Sequence, residues 1–305
     1  MLKHFLIVVD AARVDNDALA HTLELARAAG ARVTLLRLLE QPTGRSRFVD
    51  PVDWYMRKIE AETSLNKLGQ TLRESGFQAQ TALLESRQSE HVLQFARSNE
   101  VDLVVLTRPA EGIGDLTHEL MKRTTIPLLA LRANGGGAPA CYRKILVPLD
   151  GSQRAEFTLP LAANLAQTCD AQIVLAHVIR KPEMPRRAPP TPEELELSER
   201  IVESNRSEAT RYLEQVASRL PGSVETRLLV NESIPSALHS LIEQEGIDLI
   251  VLSAHGYSGA PQWPYGSVAN SLISYSMKPV LVVQDLPAAE ATPPQAVARS
   301  GSKVR

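Results

Sequence analysis

The chain has 305 residues, enough for two domains that each bury a core. With 44% apolar and 22% charged residues and a net charge of −2, it lacks the basic surplus that nucleic acid or an anionic membrane would need. No apolar run reaches the roughly 20 residues of a membrane span, and Cys141 and Cys169 show neither metal spacing nor the look of a disulfide framework.

In chain order, the first predicted strand is Phe5 to Val9, closed by Asp10. It is too short for a signal peptide, so a cytoplasmic location is expected. Asn16 to Ala29 carries apolar residues at helical spacing and closes on Gly30; Asp53 to Ser75 does the same and closes on Gly76. The apolar runs Val101–Leu106 and Ile126–Leu131 complete the first half. Glycine, alanine and proline then take over, which makes 134–142 a linker between a domain at 1–133 and another at 143–285.

The second half opens on Ile145–Leu149, closed by Asp150, and continues with Leu175–Val178. The segment from Arg180 to Pro190 reads as a solvated connection. Thr191-Pro192-Glu193-Glu194 follows as a helix start, with threonine as cap, proline in the first turn and glutamate three residues on. That helix is expected to reach about Leu220. Runs at Ile247–Leu252 and Pro279–Val283 come last, before an Ala/Pro/Ser-rich stretch at 286–305 that reads as a disordered tail.

The halves repeat each other. Val101-Asp102-Leu103-Val104-Val105-Leu106 answers Ile247-Asp248-Leu249-Ile250-Val251-Leu252 almost residue for residue. Continuous apolar runs of this kind suit parallel strands covered on both faces, and their alternation with helices predicts an open α/β sheet in each half. Ligands in such sheets sit beyond the carboxyl ends of the strands.

One such end stands out. Ser253-Ala254-His255-Gly256 follows an apolar run, nine residues intervene, and Gly266-Ser267-Val268 then begins a helix-like segment. Glycine lets backbone approach a phosphate, and a helix start offers unpaired N–H groups and a positive dipole end. Ser267 could bond a phosphate oxygen or help to cap its helix. Asp150 could accept hydrogen bonds from ribose hydroxyls or reach a divalent ion. The loop Tyr257–Tyr265 holds no lysine or arginine, so backbone dipoles and Mg²⁺ would meet the phosphate charge. The first copy spans 25 positions from Asp102 to Pro127 against 31 from Asp248 to Pro279. Gly114-Asp115 then matches Gly266-Ser267, and the loop between is six residues shorter, so the first copy is expected to have lost the anion site.

These residues make the chain resemble the universal stress protein family in its tandem form, from Met1 to Gln284 without the linker. The family's ATP-binding signature is Gly, two residues, Gly, nine residues, Gly, then Ser or Thr; here it reads Ser253-x-x-Gly256-x9-Gly266-Ser267. The resemblance implies Rossmann-like domains of the adenine nucleotide alpha hydrolase type, and ATP, ADP or AMP held by the second. It places adenosine against Pro148, Leu149, Asp150 and the backbone of Val178, described as the end of the second strand. It also implies that the last strand of each copy pairs in a dimer-like contact, within one chain or between two.

Two other functions compete with a binding module of unknown protein partners. One is a slow ATPase or nucleotidyl transferase, against which stands the lack of a positioned base or cation. The other is a protein- or lipid-binding scaffold without nucleotide. His255 reads as a turn residue, and Trp263 and Tyr265 as structural or interfacial. No residue is assigned a catalytic role.

Overall fold

The computed structural model describes residues 2–9, 16–39, 51–86, 88–108, 112–133, 142–181, 191–256 and 265–284. The first copy contains β1 (His4–Val9), α1 (Asn16–Ala29), β2 (Arg32–Leu38), α2 (Pro51–Glu74), β3 (Ala79–Leu84), α3 (Ser89–Ser98), β4 (Leu103–Arg108), α4 (Asp115–Arg123) and β5 (Leu128–Arg132). The second contains β6 (Lys144–Pro148), α5 (Gln153–Glu156), α6 (Leu159–Cys169), β7 (Gln172–Arg180), α7 (Pro192–Ala217), β8 (Val224–Asn231), α8 (Ile234–Glu245), β9 (Leu249–Ser253), α9 (Ser267–Tyr275) and β10 (Val280–Val283).

The strands form one sheet in the order β3-β2-β1-β4-β5-β10-β9-β6-β7-β8. Each half is parallel throughout. They meet at an antiparallel seam, with Val280 opposite Ala130, Leu281 opposite Leu129 and Val282 opposite Leu128. The dimer-like pairing of last strands therefore exists inside this chain.

Strand side chains alternate between faces, and here both faces are covered. Phe5, Ile7 and Val9 enter one core cluster with residues of α1, α2, α6 and α7; Leu6 and Val8 enter another with α3, α4, α8 and α9. Both clusters run across the seam. Asp102 and Asp248, matched in the repeat, perform the same structural task. Asp102 Oδ2 accepts the N–H of Lys3 at 2.8 Å and of His4 at 3.0 Å, and Asp248 accepts those of Arg143 at 2.8 Å and Lys144 at 3.1 Å. Each aspartate clips the start of the central strand to the turn before its neighbour.

Several sequence expectations are met closely. The helix expected over Asn16–Ala29 has those bounds, and the one expected over Asp53–Ser75 runs Pro51–Glu74. Thr191 caps α7 in a reciprocal capping box with Glu194, and the helix ends at Ala217. Three expectations need correction. β7 does not end at Val178 but runs two residues further, because Ile179 and Arg180 still pair with β8. Tyr142, assigned to the linker, is 2% exposed and stacks on His21 of α1. Cys169 is disulfide-bonded, which its sequence spacing did not suggest; the other cysteine, Cys141, lies outside the described residues. So do Asp10, the 182–190 connection, the loop 257–264 and the 286–305 tail. No described helix is long and apolar enough to cross a membrane.

Candidate functional site

In the second copy, β6 and β9 lie side by side and their chains depart to opposite faces, into the α5–α6 side and the α9 side. A crevice must open where neighbouring strands part in this way. It is a cavity of about 280 Å³, and its lining includes Pro148, Leu149, Asp150, Val178, Ser253, Gly256, Gly266, Ser267 and Val268. All nine residues singled out from the sequence therefore share one hollow. Leu252, Leu238 and Ile234 add apolar wall.

The glycines have distinct tasks. A Cβ built on Gly256 would stand 2.2 Å from Asp150 Oδ2, so the carboxylate lies directly against bare backbone. Gly266 is the N-cap of α9 without a side-chain cap, and its N–H donates to Ala254 O at 2.7 Å. The first helical bond of α9 runs from Asn270 N–H to Gly266 O, at 2.9 Å. The N–H groups of Ser267, Val268 and Ala269 precede it, at the positive end of the helix and at the cavity wall.

Asp150 does not cap the following helix. Ser152 does, its hydroxyl accepting Ala155 N–H at 3.1 Å, while Asp150 Oδ1 accepts Ser152 N–H at 3.0 Å. Asp150 is exposed. Ser253 is buried, and its hydroxyl donates to His255 O at 2.6 Å, a bond within the turn. His255 is buried at 6% exposure and lines the cavity. His177 Nδ1 donates to Leu149 O at 2.9 Å and holds that strand end, while its ring meets Tyr212 edge-on. Burial, then the charges of Glu156 and Asp150, push the Tyr212 phenol above its usual range. No lysine or arginine is among the described lining residues, and no cluster of three or more described His, Cys, Asp or Glu could hold a metal by itself. An anion here would meet backbone donors, with one carboxylate, that of Asp150, beside them.

The first copy is built to the same plan. Gly114 is the N-cap of α4 and Asp115 its first residue, as Gly266 and Ser267 are for α9, and both helices have nine residues. The N-caps differ in conformation, with φ 81° at Gly114 and −69° at Gly266. The first mouth is open too, a cavity of about 740 Å³.

Sequence reasoning missed how the copies join beside the site. Tyr265, immediately before Gly266, is 5% exposed, and its hydroxyl bonds Nδ1 of His118 on α4. Arg108, in the position matching Ala254, is 1% exposed and donates to the carbonyls of Ser274 and Ser276 at the far end of α9. Burial, with the nearby charge of Arg132, pulls its pKa down to about 10, so it stays charged at neutral pH. Gln284 Nε2 donates in return to Met121 O of α4, at 2.8 Å. One signal was available: an arginine two residues after an apolar run, still within its strand, has to find acceptors where it is buried.

The universal stress protein family matches this chain twice, over residues 1–132 and 141–284. Universal stress protein MJ0577 of Methanocaldococcus jannaschii is 28% identical over 158 residues, 47% of this chain and 95% of that protein. Universal stress protein MJ0531 of the same organism is 28% identical over 144 residues, 47% of this chain and 82% of that protein. The crystal structure of a universal stress protein from Archaeoglobus fulgidus shares the fold, with a TM-score of 0.68 at 13% identity over 92% of this chain and 98% of its own.

Proposed function

The chain belongs to the universal stress protein family, and we propose that its second copy binds an adenine nucleotide, ATP or its ADP and AMP forms, as a signalling module. The observation that carries this reading is the uncapped start of α9 at Gly266, opening onto a cavity that Asp150 and Gly256 border. The N–H groups of Ser267 and Val268, with Gly256 and Gly266 backbone, would hold phosphate oxygens. Asp150 would accept from ribose hydroxyls and share any Mg²⁺ that arrives with the phosphates. The apolar wall from Val178 to Leu252 would cover the adenine, with Val178 backbone at its edge. The mechanism is binding-linked: a nucleotide that contacts both Gly256 and Gly266 ties together the ends of the segment between them and biases the surface offered to partners. The β5–β10 seam serves as the dimer contact made within one chain.

Titrating ATP, ADP and AMP into wild type and Gly266→Val tests this. A Cβ on Gly266 meets nothing nearer than 3.8 Å, so the variant should fold and place its branch over the phosphate path. The expected result is a loss of at least about a hundredfold in ATP affinity, roughly 2.7 kcal/mol. Equal affinity in the two proteins would remove the second mouth as the site.

A further inference from the structure

The two mouths share an apolar floor, Val8, Leu38 and Leu106 in the first and Pro148, Val178 and Leu252 in the second. Their helix starts are held differently. At the second mouth one tie comes from its own copy, the bond from Gly266 N–H to Ala254 O at 2.7 Å. The other comes from the first copy: the Tyr265 hydroxyl, on the residue directly before Gly266, bonds Nδ1 of His118. His118 is the fourth residue of α4, and its N–H donates to Gly114 O at 3.0 Å, so the first turn of that helix carries the ring. The two rings meet edge-on, 5.7 Å between centres. Burial above all holds the imidazole below its ordinary 6.5, so at neutral pH Nδ1 accepts from the phenol.

This tie has no counterpart at the first mouth. The repeat matches His118 with Asn270 and Tyr265 with Ile113. Asn270 is exposed and its Oδ1 accepts the hydroxyl of Ser274, on its own helix, at 3.5 Å; Ile113 packs on an apolar core. Filling space before the helix start therefore needs no phenol, since an isoleucine does it at Gly114. A phenol buried to 5% exposure has to find a partner, and here the partner stands on the other copy. The place is the mouth lined by Ser267 and Val268. Amide donors hold an oxyanion tightly when they are already in position; a helix start that must first be ordered loses that cost from its affinity.

We infer that His118 of the first copy is a positioning residue for the second copy's mouth: through the Tyr265 hydroxyl it holds the turn that carries Gly266 and the phosphate-binding amides of Ser267 and Val268. The tie stands on the contacts above; its effect on phosphate rests on reading the second mouth as a nucleotide site.

Calorimetric titration of ATP into the full chain, with adenosine measured by its displacement of ATP, tests this. The proteins are wild type, Tyr265→Phe, His118→Leu, His118→Gln and the double variant of Tyr265→Phe with His118→Leu. Each of Tyr265→Phe and His118→Leu should weaken ATP about three- to tenfold, the worth of a neutral hydrogen bond. The double variant should lose no more than either alone, because both changes remove the same bond. His118→Gln, which still offers an acceptor, should recover most of the loss. Adenosine has no phosphate for the amides to hold, so its affinity should stay at the wild-type value throughout. Tyr265→Phe keeps the buried ring, so the test does not hang on the folding of His118→Leu. Equal losses of ATP and adenosine would reveal a general disturbance of the fold and overturn the inference, as would additive losses in the double variant. ATP affinity that Tyr265→Phe leaves alone and Gly266→Val lowers would overturn it while sparing the nucleotide reading. A wild type that does not bind ATP would remove that reading and this inference with it.

Discussion

The two mouths of the sheet share floor, helix start and strand order, yet they present opposite chemistry. The second has uncapped amides beside Gly256 and no cationic side chain in its described lining; the described lining of the first has three carboxylates and one guanidinium, Arg123, around a hollow more than twice as large. What stayed constant is what the sheet needs to form, such as the aspartate clips at Asp102 and Asp248. What diverged lies beyond the strand ends, where the parallel sheet constrains nothing. The copies are also unequal across the seam. Arg108 and His118 of the first reach both ends of α9, and among the described residues Tyr265 and Gln284 of the second bond α4 in return. The first copy acts as a brace for the helix whose start forms the second mouth.

The largest expected effect follows from that brace. Arg108→Met keeps the length of the side chain but leaves the carbonyls of Ser274 and Ser276 without this buried donor. Unfolding in urea should show a loss of about 2–4 kcal/mol, the range for removing one partner from a buried charged network. A change below about 0.5 kcal/mol would mean that α9 stands without the first copy's support.

Next in size is an exchange between the mouths. The sequence match sets Ala110 against Gly256. Introducing that methyl as Gly256→Ala puts a carbon too close to Asp150 Oδ2 and forces the carboxylate aside. ATP affinity should fall about tenfold or more, near 1.4 kcal/mol, with little change in unfolding because Asp150 is exposed and can rotate. Unaltered affinity would show that the contact between carboxylate and glycine plays no part in binding.

How legible this was depended on the range of the forces involved. Helices α1, α2 and α7 could be read because caps and periodicity are local, and the capping box of Thr191 and Glu194 needs four residues. The nine site residues could be read because their signature follows a buried strand and recurs in altered form in the other half. β8 left no clear mark, since every residue of this edge strand is only partly buried and no continuous apolar run announces it. Arg108 with Ser276, and His118 with Tyr265, are separated by 168 and 147 residues. No local propensity carries such pairings; they follow only once β5 and β10 are seen to join.

The smallest expected effect is a dependence on pH at the seam. Burial, followed by the charge of Lys122, lowers the His118 imidazole below its ordinary 6.5, and burial raises the Tyr265 phenol. At neutral pH the phenol therefore donates to Nδ1 of an uncharged ring. Between the folded pKa and 6.5 the unfolded chain binds more protons at this site than the folded one, so stability rises with pH across that interval. The contribution is complete above about 6.5 and is lost as pH falls toward the folded value. Burial lowers His4 and His239 in the same direction, so wild type alone cannot isolate the seam. His118→Gln can, because it keeps a hydrogen-bonding group and removes the titration. Its unfolding free energy should decline less steeply than that of wild type between pH 7 and pH 5. Parallel slopes would show that the brace does not respond to protons, and would leave the two mouths different in ligand chemistry alone.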